Sequence, residues 1–193
     1  MIAKNSFFIF LIVSFFTACS SVSTHSVKLD NIIKSNKQNS IIISSKIDDK
    51  VTKDVILKLM AFDERGGRIS LYIQNGRGWI NDAFAIVDII NSIQTPVDVY
   101  VVGECDYAGM LIVLSATGKR YAYEDSVLLS SIMIPYDNTT YSQVKIDRER
   151  FDKIWRVKSK VPNSWYPISG KGIKEMSSKE AKRYGIIDKI IKE

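Results

Sequence analysis

Nucleophilic, acid–base and metal chemistry each draw on a few side-chain types, and this chain is nearly bare of one of them. Its 193 residues hold a single histidine, His25, and two cysteines, Cys19 and Cys105. One His excludes multi-histidine metal sites and makes His25 the sole imidazole that a Ser-His-Asp triad could use. It falls in 20–40, a Ser-, Thr-, Asn- and Lys-rich stretch without hydrophobic periodicity. A lone imidazole there is expected to be solvated rather than catalytic. Cys105 sits between Glu104 and Asp106, whose charges oppose thiolate formation, so a buried structural thiol is expected. Two other arrangements stay open. Ser130 or Ser131 with Lys119 or Lys171 would make a Ser-Lys dyad, and Glu104, Asp106 and Asp125 would supply carboxylate acid–base chemistry. Acids two residues apart also share a face of any extended segment, with no chemistry implied. The sequence contains no P-loop, dinucleotide fingerprint, zinc spacing or EF-hand, and no cofactor is expected.

Cys19 has a different context. Lys4 precedes a ten-residue run, 7–16, that is apolar apart from Ser14. That is too short for a bilayer span and suits the apolar part of a secretory signal. Phe16-Thr17-Ala18-Cys19-Ser20 follows at once and resembles a bacterial lipobox, with Phe16 standing where an aliphatic residue is usual. The resemblance implies removal of 1–18, acylation of Cys19, a tether over 19–40 and a folded domain over 41–193. The protein would be held on a membrane of the bacterial cell envelope, facing the periplasm or the exterior. Several acyl chains anchor stably where one does not. An ordinary secretory signal cut nearby is the alternative.

Composition bounds the rest. With 46% hydrophobic and 25% charged residues the chain suits one globular domain of ordinary core size. The net charge of +6 is uneven, since 19–135 carries 12 basic and 13 acidic residues and 136–193 carries 14 and 8. Those C-terminal bases alternate with acids, as in Asp147-Arg148-Glu149-Arg150, so a solvated charged face is expected and nucleic acid is not. A basic patch docking on anionic lipid is the rival reading of that segment.

The elements that must position any chemistry follow from periodicity. Strands are predicted at 41–45, 69–73, 97–102 and 127–133, with 97–102 buried on both faces. Helices are predicted from Val51, Val55, Leu59 and Phe62, stopped by Gly66-Gly67, and from Ile80, Ala83, Phe84, Val87 and Ile90. Glycine-containing turns at 74–78 and 103–109 lead into that second helix and into a buried helix at 110–116. A charged helix at 146–158, a loop at 162–172, a capping box at Ser177–Glu180, a stop at Gly185 and an apolar segment at 186–191 complete the pattern. Alternating strands and helices imply an α/β fold with a mainly parallel sheet.

This order of motifs resembles the proteolytic subunit of the Clp protease, in the wider ClpP/crotonase group of repeated ββα units. The matching stretches are Ile69-Ser70-Leu71-Tyr72-Ile73 with its glycine loop, Ala85-Ile86-Val87-Asp88, 103–109, Gly118-Lys119-Arg120-Tyr121-Ala122 with Asp125-Ser126, and 177–189. The resemblance implies a serine peptidase, yet it places Tyr107 where the family has its nucleophilic Ser, Ser131 where it has His and Ile173 where it has Asp. Backbone N–H groups of Gly78 and Ala108 would remain as an oxyanion-like nest, although Arg77 replaces the first glycine of the loop and Trp79 and Tyr107 are expected to crowd it. A phenol without a base is a poor nucleophile at neutral pH. The expected function is therefore a membrane-held, peptidase-like protein acting by binding or assembly, with a cell-envelope peptidase or esterase of rearranged site as the alternative. Family members form rings through the segment between the His and Asp positions. That segment is altered here by Pro162 and Pro167, so a smaller homo-oligomer or a protein partner is the expectation.

Overall fold

The computed structural model describes residues 39–129, 141–162 and 174–192. The first unit is β1 (Ser40–Ile43), α1 (Asp49–Arg65) and β2 (Ile69–Ile73). Asp48 caps α1 by accepting from the Val51 N–H at 3.0 Å, and Gly66 ends it at φ 70°. The second unit carries α2 (Ile80–Ser92) from β2 into β3 (Val97–Val101), and the third runs through the two-residue β4 (Glu104–Cys105) into α3 (Tyr107–Leu114) and β5 (Arg120–Tyr123). β6 (Val127–Leu129), α4 (Tyr141–Lys158), β7 (Glu175–Ser177), α5 (Ser178–Arg183) and β8 (Lys189–Ile191) follow.

Five strands form a parallel sheet in the order β1-β2-β3-β5-β8, and a smaller sheet has the order β4-β6-β7 with β6 and β7 antiparallel. Each step β1→β2→β3→β5 moves in one direction, so right-handed crossovers place α1, α2 and α3 on one face of the large sheet. Ile41, Ile43, Leu71, Ile73, Val97, Val99 and Val101 enter the core from that face, against Val55, Leu59, Phe84, Val87 and Ile90. The seven residues of α3 after Tyr107 are all buried. That all-round apolar helix fits inside the molecule, between α2 and α4.

The fold class is as expected, and three elements differ in detail. The buried helix begins at Tyr107 rather than 110, because Asp106 caps it. α4 begins at Tyr141, ahead of the predicted 146. β3 is not apolar on both faces, since Tyr100 is half-buried and Asp98 is buried with Arg68 Nε at 2.9 Å and the Lys119 N–H at 2.6 Å. The capping box is present in full: Ser177 and Glu180 satisfy each other's backbone N–H groups. β5, unassigned by periodicity, is a strand whose one buried residue is Ala122, and it brings Arg120 to Asp188 (2.9 Å) and to the Lys158 carbonyl (3.0 Å), tying β8 and α4 to the sheet.

Burial pushes the Asp188 carboxyl up, but hydrogen bonds from the Arg120 side chain and N–H, with the Arg120 charge, outweigh it and leave the group below the usual carboxylate range. A carboxylate more acidic in the folded than in the unfolded chain stabilises above the unfolded value and loses that contribution as pH falls through the folded one. Thermal unfolding from pH 6 down to about 3 should therefore show a shallower acid loss for Asp188→Asn than for the wild-type chain.

Candidate functional site

Two loops at the C-terminal ends of β2 and β3 meet in a backbone junction. The first, 74–78, is tied to β1 by Gln74 N–H to Ile43 O (2.8 Å) and to β4 by Asn75 N–H to Glu104 O (2.6 Å). Gly76 lies back to back with Gly109: the Gly109 N–H donates to Gly76 O at 2.7 Å, and a Cβ on Gly76 would stand 2.6 Å from Gly109 Cα. Gly78 lies against Ile47, held by Ile47 N–H to Arg77 O (2.7 Å) and Trp79 N–H to Ile47 O (3.0 Å). No side chain fits at these positions, which is why 76, 78 and 109 are all glycine.

The second loop delivers the start of α3. Asp106 Oδ1 accepts the Tyr107 N–H at 2.6 Å, and Arg77 closes over Asp106 (3.3 Å) and Glu104 (3.4 Å). Tyr107 then reaches back across the junction, its hydroxyl donating to the Gly78 carbonyl at 2.6 Å. Burial and the Asp106 charge push the phenol above its ordinary value against the opposing Arg77, so it stays a neutral donor. The N–H groups of Gly78 and Ala108 have no acceptor among the described residues. Chemically the junction offers two backbone donors, a neutral phenol and a charge clamp, with no base beside the phenol among the described residues.

The expected crowding holds for Tyr107 alone. Trp79 is 49% exposed, with Lys46 Nζ 4.5 Å from its ring centre, and so forms part of the rim. Its place ahead of α2 turns the indole outward. Cys105 is fully buried behind Gly109, its thiol pushed strongly up by burial and then by Asp106 and Glu104, which makes it inert. Glu104 and Asp106 are engaged with Arg77, while Asp125 is exposed in the turn before β6. Those three carboxylates are not gathered into one acid–base site. Lys119 lies level with Asp98, at the opposite end of the sheet from Tyr107. Cys19, His25, Ser130, Ser131, Lys171, Ile173 and the loop at 163–172 are outside the described residues.

The family model of the Clp protease matches residues 23–193, a span that takes in both loops, all five described helices and the C-terminal capping box. The chain belongs to the Clp protease family. Within this Clp protease family fold, sequence reasoning missed the Asp106 cap, the Arg77 clamp and the Tyr107–Gly78 hydrogen bond. The first was legible, since an Asp ahead of an apolar run is a helix-start signal. The other two join residues 29 or so apart and needed the pairing of β2 with β3.

Tyr107→Phe in this Clp protease family member removes one hydroxyl and leaves the Gly78 carbonyl without its donor. The expected cost is about 1–2 kcal/mol of unfolding free energy, read from urea midpoints at unchanged slope.

Proposed function

We propose that this member of the Clp protease family has given up Ser-His-Asp peptidase chemistry and works by binding or assembly while held at a membrane through Cys19. The observation that carries the first half is the Tyr107 hydroxyl on the Gly78 carbonyl at 2.6 Å. The resemblance puts the family's nucleophile at Tyr107, its His at Ser131 and its Asp at Ile173. In that reading a neutral phenol is tied down where a nucleophile would have to be free and beside a base. Lipobox-like residues around Cys19 support the second half.

Two measurements test it. The purified mature chain should neither hydrolyse fluorogenic peptides and short acyl esters nor take up a fluorophosphonate, and Tyr107→Ser should not restore either property. Uptake at one residue would overturn the binding reading. Mass spectrometry of the N-terminal peptide should find Cys19 acylated, and an unacylated Cys19 would overturn the anchor. The second reading, a peptidase or esterase of rearranged site, is favoured by one observation: the Gly78 and Ala108 N–H groups have no acceptor among the described residues.

A further inference from the structure

Bases from three stretches of the chain gather at one corner of the fold, where the ends of α4 and α5 meet the starts of β5 and β8. Lys160, just past α4, donates its N–H to the Tyr184 carbonyl at 2.7 Å, and the Lys158 carbonyl accepts from Arg120 at 3.0 Å. Arg120 in turn holds Asp188, the residue ahead of β8. Arg183, at the end of α5, lies over the Tyr184 ring at 4.7 Å and donates to its hydroxyl at 2.9 Å. Lys119 joins them, close enough for its charge to act on Asp188. Lys119, Lys158, Lys160, Lys182 and Arg183 are all exposed and make no ion pair among the described residues. The acids beside them are engaged, Asp188 by Arg120 and Glu180 in the capping box. Bases in a last turn suit the helix dipole, but that local role does not call for two helix ends and two strand starts to share one corner.

All five strands of the large sheet are parallel, so their starts share one end. Arg120 opens β5, Lys189 opens β8 and Ser40 opens β1, which puts the basic corner at the end where the chain from Cys19 enters β1 through Asn39. The Gly76–Gly109 junction, with Tyr107 and Trp79, is at the other end, beyond β2 and β3. The 20 residues from Cys19 to Asn39 reach at most about 70 Å even when extended, against about 20 Å from β1 across to β8. An acylated Cys19 would keep the corner at a high effective concentration beside the bilayer, where a weak contact suffices. Each Lys or Arg near an anionic leaflet adds to such a contact, and its stem carries the charge outward.

We propose that this basic corner docks on the anionic headgroups of the membrane to which Cys19 is anchored. The proposal rests on the anchoring reading and adds an orientation to it: the starts of the strands toward the lipid, the Gly76–Gly109 junction facing away.

The test removes the anchor to isolate the corner. The full mature chain carrying Cys19→Ser is sedimented with phosphatidylcholine vesicles that contain either no phosphatidylglycerol or about one-third of it. It should partition onto the anionic vesicles alone at about 0.05 M salt and come off at about 0.5 M. Lys158→Gln, Lys160→Gln and Lys182→Gln together should weaken partition at least about tenfold. Lys50→Gln, Lys53→Gln and Lys58→Gln on α1 remove the same charge and should weaken it less than about threefold. Arginine at the three corner positions should preserve it. Equal losses from the two triples would overturn the proposal, because net charge alone would then be the cause. Absence of binding, or binding indifferent to salt or to phosphatidylglycerol, would overturn it too. Tighter binding of the same chain to a short DNA duplex, lost in the corner triple, would overturn it in favour of a nucleic-acid face. Arg183→Glu alone serves should the corner triple not fold. Acylation of Cys19 is scored separately by mass. A corner that binds while the native Cys19 is unacylated upholds the docking and overturns only the anchor, and an acylated chain whose corner does not bind overturns only the docking.

Discussion

Gly78→Ala should be the most damaging single substitution in the candidate site, costing about 3–5 kcal/mol. The added Cβ would stand 2.2 Å from the Ile47 carbonyl oxygen, 2.6 Å from Ile47 Cβ and 2.7 Å from Ile47 N. These are backbone atoms and a fully buried side chain, so no rotamer change relieves the contact. The segment must move, and with it go the two hydrogen bonds that bracket Gly78, Ile47 N–H to Arg77 O and Trp79 N–H to Ile47 O. Overpacking at a rigid contact costs about 1–3 kcal/mol and each lost hydrogen bond adds about 1. In a chain of this size that is a fall of roughly 10 °C or more in the unfolding midpoint. Arg77→Ala is the control, since its side chain is 63% exposed and its ion pairs are solvent-screened. It should change stability by under about 1 kcal/mol. A Gly78→Ala protein as stable as Arg77→Ala would contradict the backbone packing described.

Phe151→Ala should cost about 3–5 kcal/mol as well, through a cavity rather than a clash. Phe151 is fully buried on α4 and stacks on Trp155 at 5.8 Å, and α4 packs on α3, the helix that begins with Tyr107. Arg150 adds an ion pair to Asp88 and lies over the Phe84 ring at 4.2 Å, but this exposed pair cannot replace the apolar seat. The near-ultraviolet signal of Trp155 should weaken and the urea midpoint should fall. Phe151→Leu, which keeps most of the volume, should lose under about 1.5 kcal/mol. If Phe151→Ala and Phe151→Leu were equally stable, α4 would not be seated through Phe151.

Much of the fold was legible because its signals are local. Asp48 and Ser177 announce helix starts within three residues of the N–H groups that they satisfy, and Gly66 and Gly185 mark stops at positive φ. The spacing of Val55 and Leu59 on α1, or of Ile41 and Ile43 on β1, names the buried face before any partner is known. β5 escaped because Arg120-Tyr121-Ala122-Tyr123 offers one small apolar residue to the core, and Ala122 is recognisable as a core position only once Val101 lies beside it. The outer face of β3 is covered, as expected, but its polar groups depend on distant residues: Tyr100 and Asp98 are housed by Tyr72, Tyr121 and Arg68.

The sequence by itself determined the α/β class, the glycine loops, the capping box, the family to which the motifs point and the scarcity of imidazole. All of these depend on residue type and on spacings of a few positions, which the chain carries whatever its tertiary path. Only the tertiary structure decided that Tyr107 spends its hydroxyl on Gly78 and that Trp79 faces water. It also decided that Cys105 is sealed behind Gly109, and that tyrosines from β2, β3 and β5 form one row. Each of those facts joins residues from different strands or loops. Their geometry is set by sheet pairing and by the close approach of Gly76 and Gly109, contacts that no local pattern encodes.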